Sequence, residues 1–360
     1  MDLELSDEQR LLLEMVERFA TDAGGLEPHR VALESEVGYS CQTWQKMAEL
    51  GLLSILFTEE IGGLGGGGTE LMIIGESMGR HMIATPFLET AVVAATILAG
   101  SCPRAQDPLI DGVLNGTQIY ALVEKGIELG PRGLSGTAIG IAAGGQADRL
   151  IVAAGGAIYS VDATSSAISR EDYPLHGGGR AADIRLSGAK GDLIADKDTA
   201  EPLLRRAADR RVVFLASEAL GAAEAAFEAT VDYLKTRVQF GTPIGANQSL
   251  QHRAAELFVE IEQLRSAVIL AACSLDELDT AEQARGLAAA TIVVAKVARF
   301  VGQWAVQLHG GIGVAAEHAV GHWFLRLTAI NLLLDPRSSV DVLVSEGRSS
   351  PSLRTSGLDS

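Results

Sequence analysis

Apolar residues recur every three or four positions in two long stretches of the C-terminal part of the chain. One stretch runs from Leu250 to Leu275, and the other runs from Leu287 to Leu308. This spacing places apolar side chains on one face of a helix, and such a face needs a partner helix to cover it. We therefore predict an antiparallel four-helix bundle over residues 200–348, followed by a flexible tail over residues 349–360.

The N-terminal part of the chain also has the pattern of helices. Ser6 and Gln9 form a possible capping box before apolar residues at helical spacing. A glycine-rich loop over residues 59–68 separates later helical segments. We predict a helical N-terminal domain over residues 1–113. The predicted helices after the first are 40–50, 70–80 and 87–98.

Between residues 114 and 199 the pattern changes to short β-rich runs separated by glycine. No long helical segments alternate with these runs, which argues against a doubly wound parallel sheet. We predict a small middle domain that is a β-barrel or sandwich, so the fold class is α+β and mainly α. The predicted strands are 118–123, 149–154, 157–161 and 183–186.

The composition argues against two classes of partner. The net charge is −17, from 29 basic and 46 acidic residues, whereas a broad nucleic-acid surface needs clustered Lys and Arg. Apolar runs such as 91–99 are too short to cross a bilayer, and the first residues lack the basic start of a signal peptide. We expect a cytoplasmic protein. Three widely separated cysteines suggest buried free thiols rather than disulfides.

A short run near residue 240 carries the strongest chemical signal. Arg237 lies where a helix is predicted to end, before Gly241, which can take a left-handed conformation, and Pro243. Taken alone, Arg237 is a cation placed favourably at a helix C-terminus. Gln248 lies eleven positions further on, and residues 307–311 end another predicted helix with a glycine pair that lets backbone approach a ligand. The combination favours a site for a flat, anionic dinucleotide such as a flavin cofactor.

At this point the sequence resembles the acyl-CoA dehydrogenase family. That family carries an R-x-x-F-G-x-P-I/L stretch, a glutamine eleven residues beyond its arginine, and a Q-x-x-G-G segment. This chain has the three signals from Arg237, at Gln248 and from Gln307. The run that begins at Glu59 resembles the family's E-E-x-G-G-x-G loop, and residues 146–152 resemble a middle-domain strand. The likeness covers nearly the whole chain.

The resemblance implies that FAD is the cofactor and that an acyl-CoA thioester is the substrate. A carboxylate base would remove the α-proton while hydride leaves the β-carbon for the flavin N5. Arg237 would meet the FAD pyrophosphate. In the family these contacts reach the FAD of a neighbouring subunit, so a homo-oligomer or hetero-oligomer is expected. The residues implied in FAD contact are Arg237, Phe240, Gln248, Gln307, Gly310 and Gly311.

The chain departs from the family pattern at the base. Counting from Arg326, the position of the usual catalytic glutamate holds Asp335, which has the right group on a shorter side chain. A helix-cap or turn role before a proline is the other interpretation of Asp335. Some family members place the base on the first bundle helix. The matching place here is near Arg211, which cannot serve, and the nearby Asp209 does not match by position.

A second departure lies in the segment that contacts the flavin ring in the family, where only Glu124 matches. An intact adenine-side motif beside an eroded ring-side motif resembles the short subunits of heteromeric acyl-CoA dehydrogenases that act on steroid side chains. We therefore expect an FAD-dependent acyl-CoA dehydrogenase subunit. The alternatives are a non-catalytic homologue that completes a partner's FAD site and, on fold analogy alone, a nitroalkane-oxidase-like flavoenzyme.

Other sites are disfavoured by the sequence. The glycine tracts at 62–68 and 177–179 have neither the spacing of a dinucleotide fingerprint nor the lysine of a P-loop. His318 and His322 have a spacing that can place two ligands on one helix face, but no third ligand is evident, so no metal is predicted. No G-x-S-x-G motif supports nucleophilic catalysis.

Overall fold

The computed structural model describes residues 4–101, 107–277 and 280–334, together with positions 336, 339, 340 and 343. The tail that the sequence predicts over 349–360 lies outside the described residues. The first helices are α1 Asp7–Ala23, α2 Leu26–Glu34, α3 Cys41–Glu49, α4 Gly68–Arg80, α5 Ala95–Ser101 and α6 Pro108–Leu114. The helices described between residues 200 and 334 are α7 Ala200–Thr236, α8 Gln248–Glu277, α9 Thr280–His309 and α10 Ala319–Leu333.

The strands lie mainly between these two groups of helices. They are β1 Tyr120–Val123, β2 Ile127–Gly130, β3 Gly133–Ala142, β4 Arg149–Ala154, β5 Ala157–Asp162, β6 Ile168–Pro174, β7 Arg180–Ala189 and β8 Asp192–Ala195, with a short hairpin of β9 Val238–Gln239 and β10 Thr242–Pro243. The predicted fold class, α+β and mainly α, is therefore confirmed. No helix in the described part of the chain has the length and apolar character needed to span a membrane.

The capping box that opens α1 is present as predicted. The Ser6 side chain accepts a hydrogen bond from the Gln9 backbone N–H, and the Gln9 side chain accepts one from the Ser6 backbone N–H. The segment predicted as a helix over 87–98 is a π-helix over Leu88–Ala94 that continues into α5. Helix α2 was not predicted, because its nine residues give only a short apolar pattern.

The glycine-rich loop packs against helix α8 of the C-terminal part of the chain. A side chain at Gly63 would overlap the Phe57 backbone, and one at Gly68 would overlap the Ala272 carbonyl of α8. The Asp276 carboxylate accepts a hydrogen bond of 2.8 Å from the Gly68 N–H. Because α4 begins at this residue, α8 supplies the cap that the start of α4 needs.

The eight strands of the middle region form two four-stranded sheets. The first has the order β1-β4-β5-β8 and the second has the order β2-β3-β7-β6. Within the first sheet β1 pairs with β4 in parallel, and the other pairs of both sheets are antiparallel. Apolar side chains from the two sheets share one core, as in a sandwich. Members of that core are Val123, Leu150 and Val152 from the first sheet and Leu134, Ile184 and Leu186 from the second.

Helices α7, α8, α9 and α10 pack against one another. The apolar stripes that the sequence predicts on α8 and α9 form their buried faces. The buried residues of the stripes are Leu257, Ile261, Leu264, Val268 and Ala271 in α8 and Leu287, Thr291, Val294, Ala298, Val301, Ala305 and Leu308 in α9.

Helix α4 crosses α7 at a very short distance. A Cβ on Gly79 would overlap the backbone oxygen of Glu218, and a Cβ on Gly221 would overlap that of Glu76. Only glycine permits this approach, because any side chain would separate the two backbones. The crossing holds the middle of α7 against the N-terminal helices and thereby fixes the position of Glu218.

Candidate functional site

The ends of three long helices meet at one end of the helical region. Helix α7 ends at Thr236 and α8 begins at Gln248, so the short link between them keeps both ends together. Tyr233, in the last turn of α7, stacks on His309, the last residue of α9, with 4.6 Å between ring centroids. The structure therefore brings Arg237, Gln248 and the Gln307 to Gly311 segment to the same end. We call Arg237, Phe240, Gln248, Gln307, Gly310 and Gly311 the helix-end surface.

The link after α7 is a tight β-hairpin. Phe240 and Gly241 at its tip have φ values of 53° and 85°, and Gln239 pairs with Thr242. Positive φ at both central residues is the signature of a type I′ turn. Gly241 thus takes the left-handed conformation, but in the hairpin rather than as a helix cap. Phe240 takes the same conformation at a cost of about 1–2 kcal/mol, and its side chain is fully exposed at 105% of the reference area.

The polar side chains of the helix-end surface are notable for having no partner among the described residues. Arg237, Gln248 and Gln307 are exposed, and within the described residues their side chains make no hydrogen bond or ion pair. Gly310 has a φ of 64°, which favours glycine, and a Cβ on Gly310 or Gly311 would meet no atom within 4 Å. Packing within the chain therefore does not explain this group of residues.

His309 directly precedes Gly310 and Gly311 and is held in place by contacts within the chain. Its ring is buried, and its Nδ1 lies 2.8 Å from the Ala305 carbonyl oxygen, which requires a proton on Nδ1. The His318 ring packs against it, with 4.7 Å between centroids. Burial lowers the pKa of His309, and the neighbouring His318 lowers it further. A neutral His309 therefore fixes the last turn of α9 without adding charge.

Of the two positions at which family members place the base, the structure describes only the one on α7. Asp335 lies outside the described residues. On α7, the Arg211 guanidinium lies 3.6 Å from the Glu124 carboxylate, so the residue that matches the family's ring-side segment is engaged in an ion pair. Burial raises the pKa of the nearby Asp209, and Arg205 opposes that shift.

Two cavities meet where the N-terminal helices, the sheets and α7 come together. The larger, of about 430 Å³, lies beside Glu124, Arg211 and Ile139. The smaller, of about 110 Å³, lies beside His29 and Arg326. The wall between them is formed by the residues that line both, which are Leu88, Glu89, Ala142 and Leu333.

Charged groups converge on the smaller cavity. The Arg326 guanidinium donates to both Glu218 carboxylate oxygens, at 2.6 and 2.7 Å. Burial alone would lower the pKa of Arg326. The negative charge and hydrogen bonds of the Glu218 carboxylate outweigh this effect, so the pKa of Arg326 lies above its ordinary value. Burial raises the pKa of Glu89, while Arg326 and Arg211 act in the opposite direction. The bidentate pair is a strong, directional contact that fixes α10 on α7.

His29 forms the far side of the same cavity. Its ring is 9% exposed and meets the His322 ring edge-on, with 5.4 Å between centroids. Burial, the proximity of His322 and the charge of Arg326 lower the pKa of His29 to about 4, against a smaller opposite effect of the Met82 carbonyl. His29 is therefore neutral at physiological pH.

The histidine pair on α10 makes local contacts with its own segment. The Val320 N–H donates to His318 Nδ1 at 3.4 Å, and His322 Nε2 lies 3.0 Å from the Ala316 carbonyl oxygen. The described part of the chain contains no group of three His, Cys, Asp or Glu side chains that could hold a metal ion.

Sequence reasoning missed Glu89, Glu218 and His29. A signal existed for two of them. Glu89 is the only charged residue between His81 and Arg104, in a segment that is otherwise apolar or uncharged. Glu218 is likewise the only charged residue between positions 212 and 223. A single charge in a buried helix needs a partner or a function.

Two family models match this chain. The model of the acyl-CoA dehydrogenase N-terminal domain matches residues 6–116, and that of the C-terminal domain matches residues 205–333. Acyl-CoA dehydrogenase IpdE2 of Mycobacterium tuberculosis is 31% identical over 349 residues, which cover 96% of this chain and 99% of that protein. The chain belongs to the acyl-CoA dehydrogenase family. The resemblance inferred from the motifs is thus confirmed, and with it the expectation of an oxidoreductase that acts on acyl-CoA.

Solved structures of this family share the fold over almost the full length. One is a chain of the ChsE4-ChsE5 complex from Mycobacterium tuberculosis, with a TM-score of 0.86, 24% identity and coverage of 98% of this chain and 100% of that one. Another is a variant of the Tcur3481-Tcur3483 steroid ACAD, with a TM-score of 0.85, 26% identity and coverage of 96% and 99%. The likeness to steroid-type members of the acyl-CoA dehydrogenase family is confirmed. Membership implies a flavin cofactor.

Proposed function

We propose that this chain is a subunit of a heteromeric, FAD-dependent acyl-CoA dehydrogenase. In this proposal its helix-end surface holds the ADP half of an FAD that lies mainly in a homologous partner chain. The observation that carries the proposal is the helix-end surface itself. Three exposed polar side chains there have no partner among the described residues, beside two open glycines and a fully exposed aromatic ring.

The chemistry of these groups suits the ADP half of FAD. The Arg237 guanidinium is a planar donor that matches a pyrophosphate. The side chains of Gln248 and Gln307 offer both donors and acceptors to an adenine or ribose edge. Helix α8 begins at Gln248, so the partial positive charge of its N-terminus lies beside these side chains and favours an anionic ligand. Phe240 offers a flat apolar face.

A shared site also accounts for the ring-side region of this chain. Glu124 is paired with Arg211, in the segment where the family has groups that face the flavin ring and beside the position where some members place a base on the first bundle helix. A guanidinium cannot accept the α-proton of a thioester. These features support a division of labour in which the partner chain supplies the ring-side groups. The name of a similar solved structure, the ChsE4-ChsE5 complex, also describes two chains.

When bound, the flavin would accept hydride from the β-carbon of the acyl-CoA. The contribution of this chain would be to bind and orient the far end of the cofactor. Positioning of this kind acts on cofactor retention before it acts on chemistry. A second role, in which the chain provides a base itself, rests on Asp335 and is tested by substitution of that residue.

The visible spectrum tests the proposal directly. The chain is purified alone and after co-expression with the homologous acyl-CoA dehydrogenase subunit. We expect no flavin absorption from the chain alone, and a yellow complex that an acyl-CoA bleaches under anaerobic conditions. A yellow chain that acyl-CoA bleaches without any partner would contradict the shared site and favour independent catalysis.

A further inference from the structure

The first turns of helix α8 lie outside the hydrophobic core of the chain. The structure describes all of residues 248–256, and none of them is fully buried, so the buried stripe of this helix begins only at Leu257. Leu250 and Ala254 are partly buried in this stretch. A helix end with so little buried apolar surface frays unless a further contact holds it. Gln248 of the helix-end surface stands on this end of α8.

Arg253 supplies such a contact between α8 and α9. Its guanidinium carbon Cζ lies over the Trp304 indole ring, 3.7 Å from the ring centroid, and 5.8 Å from the centroid of the Phe300 ring. A cation within about 6 Å of an aromatic face is attracted to it, most strongly by tryptophan. The guanidinium also donates a hydrogen bond to Glu256 of its own helix. The Arg253 side chain is only 30% exposed, so water shields this contact incompletely.

The stack of Arg253 on Trp304 lies close to both glutamines of the helix-end surface. On α9, Trp304 is three residues before Gln307, and on α8, Arg253 is five residues after Gln248. Since a helix rises 1.5 Å per residue, the stack is about 4–8 Å from each glutamine along the helix axes. It therefore controls the separation of the two helix ends on which the glutamines stand.

We propose that Arg253 and Trp304 are positioning residues of the ADP site, because their stack fixes the distance between Gln248 and Gln307 before the cofactor binds. The inference rests on the proposed function, since the ligand that the two glutamines meet is the FAD of a partner chain. Groups on two different helices bind one ligand tightly when their spacing is already fixed, because ordering them on binding costs free energy.

Two substitutions of Trp304 test the proposal in the complex with the homologous partner subunit. Trp304→Leu removes the aromatic face, and Trp304→Phe retains one. On titration of the apo complex with FAD, we expect a dissociation constant about five- to tenfold higher for Trp304→Leu than for the parent, which is within the range of one cation–π contact. Trp304→Phe should stay within about twofold of the parent. Arg253→Leu removes the other half of the stack and should match Trp304→Leu.

A second titration asks whether the stack acts through the glutamines. In a complex that already carries Gln248→Ala and Gln307→Ala, Trp304→Leu should change the FAD dissociation constant by less than about twofold, because the groups that the stack positions are gone. An undiminished loss in that background would assign Trp304 a different role and would overturn the inference.

Amide hydrogen exchange of the chain without a partner gives a readout that does not involve FAD. Residues 250–256 should exchange faster in Trp304→Leu than in the parent, whereas residues 264–272 of the buried stripe should exchange at the parent rate. Lys296→Met is the control, because it removes a 2.7 Å ion pair with Glu260 that joins the same two helices about two turns further from these ends. This control should leave both the exchange of residues 250–256 and the FAD affinity as in the parent.

Parent-like FAD affinity in Trp304→Leu, an equal loss in Trp304→Phe, or the same loss in Lys296→Met would each contradict the inference. Arg253→Leu decides the question if Trp304→Leu does not fold. Arg237→Ala separates this failure from failure of the proposed function. If Arg237→Ala weakens FAD binding and Trp304→Leu does not, the inference alone is wrong. If neither variant weakens it, the proposed function is wrong and the inference falls with it.

Discussion

Replacement of Arg237 by alanine isolates the contribution of the helix-end surface. The side chain is exposed and has no hydrogen bond or ion pair within the described residues, so its removal should change the free energy of unfolding of the chain by less than about 0.5 kcal/mol. In the complex, the same change should remove a charge-assisted contact with the FAD pyrophosphate. Cofactor affinity and subunit stability are thereby separated in one variant.

The expected size follows from the kind of contact. A hydrogen bond to a charged group contributes about 1.5–3 kcal/mol. This corresponds to an FAD dissociation constant that is about 10- to 150-fold higher in the Arg237→Ala complex. Because the contact is electrostatic and exposed, the difference should also shrink as ionic strength rises.

The assay is the flavin content of the complex after dialysis, followed by titration of the apo complex with FAD. Lys235→Ala is the matched control, because it removes a cation two residues before Arg237. The Lys235 side chain is 70% exposed, and its ion pair with Asp232 is long at 3.9 Å. We expect parent-like FAD affinity from this control. Equal FAD affinity in the Arg237→Ala and parent complexes, with both folded, would refute the assignment of the helix-end surface.

Four further changes test other parts of the structure. Phe240→Asn creates an Asn-Gly type I′ turn, so thermal unfolding should occur at the parent temperature or above, while FAD affinity of the complex falls. Glu218→Ala leaves Arg326 without its buried partner and should lower the free energy of unfolding by about 3 kcal/mol in urea titrations. Asp335→Asn should abolish turnover of the complex if Asp335 is the base, and unchanged turnover would assign the base to the partner. Because the pKa of His29 is about 4 in the folded chain and about 6.5 in the unfolded chain, the unfolded state takes up a proton first as pH falls. The contribution of His29 to the free energy of unfolding should therefore fall by about 2 kcal/mol between pH 7 and pH 5, and His29→Gln should remove this part of the pH dependence.

The parts of the fold that depend on local periodicity could be predicted from the sequence. The stripe that contains Leu257 and Val268 is buried because a repeat of three and four residues fixes one face of a helix. The capping box at Ser6 depends on residues three positions apart, so it too is visible in the sequence. Short elements such as α2 carry too few apolar positions for this approach.

The rest depends on contacts between distant segments. Gly79 and Gly221 are needed because α4 and α7 cross there. Nothing in the sequence around either glycine indicates that the two lie at the same crossing. Glu89 and Arg326 are 237 positions apart and line one cavity only because the π-helix and α10 both pack against α7. For the helix-end surface the residues could be named from the sequence, but their exposure and their lack of partners among the described residues could be seen only in the folded chain.

The two halves of a flavin site place different demands on the protein that holds them. The ADP half is bound by exposed helix ends, whose polar groups water can satisfy when the cofactor is absent, so this surface costs the isolated chain little. The ring half needs buried polar groups, which must be paired within the chain if no ring is present. Arg211 and Glu124 form an ion pair here although both are partly exposed, whereas Arg237 and Gln248 have no side-chain partner among the described residues. A chain that had ceased to hold the ring but still served a partner's cofactor would show this combination of an internally paired ring side and an open ADP side.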